Sequence, residues 1–340
     1  MLPSLLLADG YPGPPQLTPP RVFTSWTVDL PVLLVVLLAG GLYLAGVRRV
    51  RQAGQPWSAG RVIAFCLGGL GTLVIATMSF IGVYQGVLFY IRSVQTILLL
   101  LVAPLFIALG APLSLIIAAS PRLGRRLAAA IRSRVARVLT FPAITTMVLV
   151  VVPFVLYFTS WYEAGLRSGT VRELTYLALL ASGFVFFWNF LRVDPVAKAY
   201  PYLVNLWVSA AEVVGDAVLG LAVIAYQNLI AGAYYHALAR PWGPGLRSDQ
   251  VIGGGALWVI GDIVGLPFLA AQLIHMIRED ETEAASVDAE LDAVEAAEAA
   301  AAAGAPQETG AATEEPAAGS QPWWRSDPRF AERFRSANDR

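Results

Sequence analysis

The sequence predicts an all-α polytopic membrane protein: a seven-transmembrane-helix bundle, N-terminus outside, C-terminus cytoplasmic, with a low-complexity cytoplasmic tail. Three observations carry this. Of 340 residues, 56% are hydrophobic and only 14% charged, where a soluble domain has about a quarter charged. Apolar runs of the roughly 20 residues a bilayer demands recur seven times, at about 28–47, 61–83, 93–118, 140–160, 173–191, 203–226 and 251–277. The linkers between them alternate in charge. Those after the first, third and fifth runs, "RRVRQAGQPWSAGR", "PRLGRRLAAAIRSRVAR" and "LRVDPVAKAY", are clearly richer in Lys and Arg than those after the second, fourth and sixth. Such a bias places those linkers and the C-terminus in the cytoplasm and the N-terminus outside.

Along the chain, residues 1–27 form an extracytoplasmic segment. Its "MLPSLLLADGYPGPPQLTPP" has no basic start and breaks at Pro and Gly, unlike a cleaved signal peptide. Residues 28–278 form the transmembrane domain. Between spans three and four, 122–137 reads either as a basic amphipathic helix against anionic lipid or as a connector serving topology. Residues 279–340 form an Ala/Glu-rich tail, helix-forming in its first half and too polar to build a core in its second. It ends at 321–335 in an aromatic and basic stretch that could dock on membrane or a partner. Trp161, Trp242, Tyr84, Tyr90 and Tyr162 read as the outer aromatic belt.

Composition excludes several functions. The arginines fall in short clusters between apolar runs, so no nucleic-acid-binding field exists. The single cysteine, Cys66, excludes an internal disulfide or a Cys-x-x-Cys centre. No nucleophile–base constellation is evident, and an enzyme is not expected. His236 and His275 fall at opposite ends of the protein and cannot share a metal. His236 reads as an exposed loop residue, and His275 with Met276 as a membrane-interface pair. Met78, Met147 and Cys66 read as packing residues.

Ionisable residues inside spans are functional candidates by default. Glu212 and Asp216 are four apart on span six and share a helix face. Asp262, in span seven, lies at a depth similar to that of Asp216, about 15 Å from the outer end. Arg92 and Arg172 stand at the outer mouths of spans three and five. Together they suggest a polar cup with arginines at the rim and carboxylates below. In one reading the acids bind a cation, a proton or a metal. In the other they pair with the arginines or with polar groups of neighbouring helices.

The layout and three local patterns resemble the CtaG family of cytochrome c oxidase assembly factors. The patterns are "VQTILLLLVAPLFIALGAP" (94–112), "SGFVFFWNFLRVDP" (182–195) and "SDQVIGGGALWVIGD" (248–262). The resemblance covers roughly 28–278. It implies a membrane-embedded assembly factor with oxidase subunits or other assembly factors as partners, membrane lipid around it, and copper as cargo. The family motif residues carried over are Gln95, Pro104, Gly110, Pro112, Asp249, Gln250, Gly254, Trp258 and Asp262. The family's two His-x-x-x-His pairs do not carry over. They align with Arg92 and Thr96 and with Arg172 and Tyr176, and a guanidinium stays protonated and repels a metal cation. The expected role is therefore partner binding without metal ligands at those positions. The alternatives are a small-molecule, anion or proton site or permease using Arg92, Arg172, Glu212, Asp216 and Asp262, or a structural accessory subunit.

Overall fold

A computed structural model describes residues 11–196 and 202–304 of the chain. These are helical almost throughout, with no strand among the described residues. The elements are α1 (Pro19–Thr24), α2 (Leu30–Gln52), α3 (Ala59–Tyr84), α4 (Phe89–Ala119), α5 (Pro121–Ile131), α6 (Arg134–Leu139), α7 (Pro142–Phe158), α8 (Trp161–Arg167), α9 (Gly169–Leu191), α10 (Tyr202–Ala225), α11 (Gly232–Leu238) and α12 (Leu246–Gly304). Six are long and apolar enough to cross a membrane. The pair α7 and α8, bent by 68°, gives a seventh if counted as one span.

The seven expected runs thus correspond to helices, with two local differences. The fourth run ends at Thr159 and Ser160 in a bend, and the linker after it holds α8. The Thr159 hydroxyl donates to Val155 O (2.7 Å) and accepts from Trp161 N (3.2 Å), replacing helical bonds at the bend. The linker after run six contains α11, with Ala231 and Ala239 in the left-handed region at its two ends. Helix α12 runs past 278 to Gly304, as strong helix formers Ala and Glu favour. The chain divides into two units, Met1–Asp280 and Glu281–Arg340. The aromatic and basic stretch 321–335 and the side chain of His275 lie outside the described residues.

Helix starts are set by capping side chains, as orphan N–H groups require. Asp29 accepts from Val32 N (3.3 Å) ahead of Pro31 in α2. Ser120, Ser133 and Ser168 cap α5, α6 and α9. Within α4 the chain turns at Ala111 (φ 52°) and restarts at Pro112. There Asp194 accepts from Leu113 N (3.1 Å) and Ser114 N (2.6 Å). The Asp-Pro motif of 194–195 thus serves the Ala-Pro motif of 111–112.

The middle of α4 is the core of the first unit: Ile97, Leu99, Leu100, Leu101 and Ala103 are wholly buried. Its turn at Leu98–Val102 is wound wide, as a π-helix, just before Pro104, which can neither donate to the Leu100 carbonyl nor clear it. That carbonyl rests against Gly183 of α9. The outside of the bundle is apolar: Leu37, Leu38 and Leu42 of α2 are 62–66% exposed, a continuous face suited to acyl chains and not to water.

Candidate functional site

Arg92 sits in the first turn of α4 and is only 2% exposed. The rim position expected from sequence therefore does not describe it. Its Nη1 donates to Gln85 Oε1 (2.6 Å), and the guanidinium lies over the Tyr162 ring at 4.9 Å. The bend between α7 and α8 folds Tyr162 and Gly165 over it; a Cβ on Gly165 would lie 2.8 Å from Arg92 Nη2. One turn on, the Thr96 hydroxyl donates to Arg92 O (2.9 Å) and accepts from Tyr157 (3.1 Å).

Arg172 behaves differently. It is about a third exposed and pairs with Glu173 Oε1 at 3.5 Å, lining a cleft of about 710 Å³ with Gln85, Asp29, Thr77 and Tyr176. Tyr176 is buried and accepts from Gln95 Nε2 (3.2 Å), which also donates to Ala76 O (2.7 Å). Gln95 thereby joins α3, α4 and α9, and brings the 92/96 and 172/176 positions into one neighbourhood. Gln95→Leu removes both bonds from a buried site, and should lower stability by about 1–3 kcal/mol. Thermal unfolding in detergent measures it; an unchanged midpoint would count against this network.

A tyrosine layer, not singled out in the sequence, closes over Arg92. The Tyr162 and Tyr235 hydroxyls are 3.0 Å apart, Tyr234 donates to Gly86 O (3.1 Å), and Phe89 packs among Tyr157, Tyr162 and Tyr235. Burial raises the phenols of Tyr234 and Tyr235 above their ordinary range, so both remain neutral. Tyr84 and Tyr162, expected in the aromatic belt, are each 1% exposed. Tyr84 faces inward because its hydroxyl donates to Pro15 O (2.8 Å); Tyr162 does so because the bend after Phe158 turns it onto Arg92. The signal missed was the spacing of Tyr157 and Tyr162 on either side of that bend.

The last family motif has structural duties. Asp249 Oδ2 pairs with Arg240 at 3.1 Å, both side chains 2% exposed, while Oδ1 accepts from Tyr90 N (3.0 Å) at the start of α4. Gln250 Oε1 accepts from Ile230 N (2.9 Å), and its Nε2 donates to the carbonyls of Val223, Tyr226 and Asn228. These two residues fasten the 226–245 connection to α4 and α12. Gly254 meets Gly220 so closely that a Cβ on either would lie 2.6–2.8 Å from the other's carbonyl oxygen, with Trp258 beside them. Gly110 O accepts from Tyr43 (2.7 Å), and the Pro104 ring lies against Gly183.

Glu212 (2% exposed) and Asp216 (4%) face α12. Gly265 and Gly261 leave room for them: a Cβ there would lie 3.2 Å from Glu212 Oε2 and 2.5 Å from Asp216 Oδ2. Asp262 is close enough to act electrostatically on both. The three acids do come together, but the arginines do not join them. Among the described residues, Arg92 bonds to Gln85 and Arg172 to Glu173. The cup is two separate polar sites, because the arginines sit in the first turns of α4 and α9 while the acids occupy the glycine-lined seam of α10 and α12. Among the described residues no group of three His, Cys, Asp or Glu side chains is arranged to hold a metal. His236 is exposed on α11, Met78 is buried, and Met147 points outward at 66% exposure instead of packing inside.

A family model described as cytochrome c oxidase caa3 assembly factor matches residues 41–279. Proteins of Mycobacterium leprae and Mycobacterium bovis, both described as uncharacterized, are 27% identical over 293 residues, covering 83% of this chain and 44% of theirs. A Mycobacterium tuberculosis protein matches to the same extent. The chain thus spans about half the length of the curated relatives it matches. No solved structure matches it.

Proposed function

Because the chain belongs to the cytochrome c oxidase caa3 assembly factor family, we propose that it is a multi-pass membrane protein supporting assembly of a respiratory cytochrome c oxidase by binding partner proteins. In this reading the N-terminus is outside and the tail cytoplasmic, the membrane is the plasma (inner) membrane, and no reaction is catalysed. The cleft beside Arg172, Glu173 and Asp29 offers a partner both signs of charge, at the end of the bundle that this orientation places outside.

The observation that carries the proposal is the state of Arg92. Where the resemblance implies a histidine pair, a buried guanidinium is bonded to Gln85 and covered by Tyr162, and Thr96 is bonded to Arg92 O and Tyr157. A fixed positive charge disfavours a second cation in a medium of low dielectric, so copper is not handed over through these positions. Purified chain mixed with Cu(I) and passed over a chelating resin should retain far less than one copper per chain. Stoichiometric, chelator-resistant copper would overturn the partner-binding reading in favour of metal delivery.

A further inference from the structure

A second concavity, unrelated to the Arg92 site, lies between α2 and the last part of α4. It measures about 950 Å³, and its walls are apolar, with Leu42, Ala45, Ile116 and Ala119 among them. Its floor is Tyr43, stacked on Phe65 at 3.9 Å. Gly41 opens one side, since a Cβ there would meet nothing within 4 Å. Arg48 and Arg49 close one end.

Among the described residues, charge at that end is uncompensated. The sequence has no Asp or Glu between Asp29 and Glu163. Asp194, the acid that reaches this region, is 5% exposed and accepts from Leu113 N and Ser114 N. Of the neighbouring arginines, Arg51 donates to Trp57 O and Arg61 lies over the Trp57 ring. Arg48 and Arg49 are exposed, and among the described residues no side-chain hydrogen bond or ion pair engages either guanidinium. Just beyond, the exposed Arg122, Arg125 and Arg126 of α5 add to the same field.

We propose that this groove binds an anionic phospholipid, its phosphate held by Arg48 and Arg49 and an acyl chain lying along Leu42, Ala45 and Ile116. Guanidinium groups bond phosphate oxygens bidentately, and basic pockets at span ends select acidic headgroups. A partner helix fits less well, because the apolar walls lead directly to two exposed guanidinium groups. The site is independent of the assembly role.

The test uses the full chain in detergent, titrated with phosphatidylglycerol or phosphatidylcholine and read as individual lipid adducts by native mass spectrometry. Phosphatidylglycerol should bind preferentially. Arg48→Gln/Arg49→Gln should weaken it about thirtyfold, since each arginine near an acidic headgroup contributes about a factor of five. Gly41→Leu, which has room for its side chain, should weaken both lipids by filling the groove. Arg134→Gln/Arg137→Gln on α6 should change neither. Equal affinity for the two lipids, or equal losses from the α2 and α6 variants, would show diffuse surface charge in place of a site and end the proposal.

Discussion

Asp249→Ala will destabilise the bundle by about 3–5 kcal/mol, the usual consequence of removing one partner from a buried ion pair. The Arg240 guanidinium would stay 2% exposed without its carboxylate, and Tyr90 N at the start of α4 would lose its acceptor. The unfolding midpoint in detergent should fall by on the order of 10 °C. Asp249→Asn keeps an acceptor for Tyr90 N and should fall less. Adding Arg240→Leu to Asp249→Ala should recover part of the loss, because the uncompensated charge goes with it. If the double variant is no better than the single one, the defect comes from the cap on α4 and not from the charge.

Gly183→Val should be as damaging for a steric reason. A Cβ there overlaps the Leu100 carbonyl oxygen and comes within 2.6 Å of the Pro104 ring. Neither can yield: Leu100 O belongs to the backbone of the wide turn that Pro104 imposes, and α4 is packed on every side there. The valine must push α9 from α4, at a cost of about 3 kcal/mol or more, and the protein should fail to accumulate in membranes. Gly255→Ala is the matched control, since its Cβ would meet nothing within 4 Å; it should be neutral or gain up to about 1 kcal/mol of helix propensity. Similar accumulation of both variants would remove the close approach of α4 and α9 from the account.

How much of this was legible in the sequence varies by feature. The long apolar helices were, because apolar length alone marks a helix able to cross a bilayer. The pairing of Glu212 with Asp216 was legible too, since four residues on one helix share a face. The direction of Arg92 was not. An arginine at a span end can reach outward to the interface or turn inward, and the choice here is made by Gln85, Tyr162 and Gly165, all on other elements. The bend between α7 and α8 was hidden because it falls at the end of the expected run, where it depends on backbone bonds taken by Thr159. Asp262, expected at a depth similar to that of Asp216, lies close enough to act on it electrostatically. Depth could not tell which way each helix turns, so the arginines were assigned to the same cup.

The central claim is that this chain assists oxidase assembly by holding partner proteins. Its most direct test is the amount of cytochrome c oxidase subunit recovered per mole of tagged full-length chain, purified from native membranes and quantified by mass spectrometry. An unrelated multi-pass protein with the same tag sets the background. Oxidase subunits, or other assembly factors, should be recovered well above that background; recovery at the background level would rule out the partner-binding role.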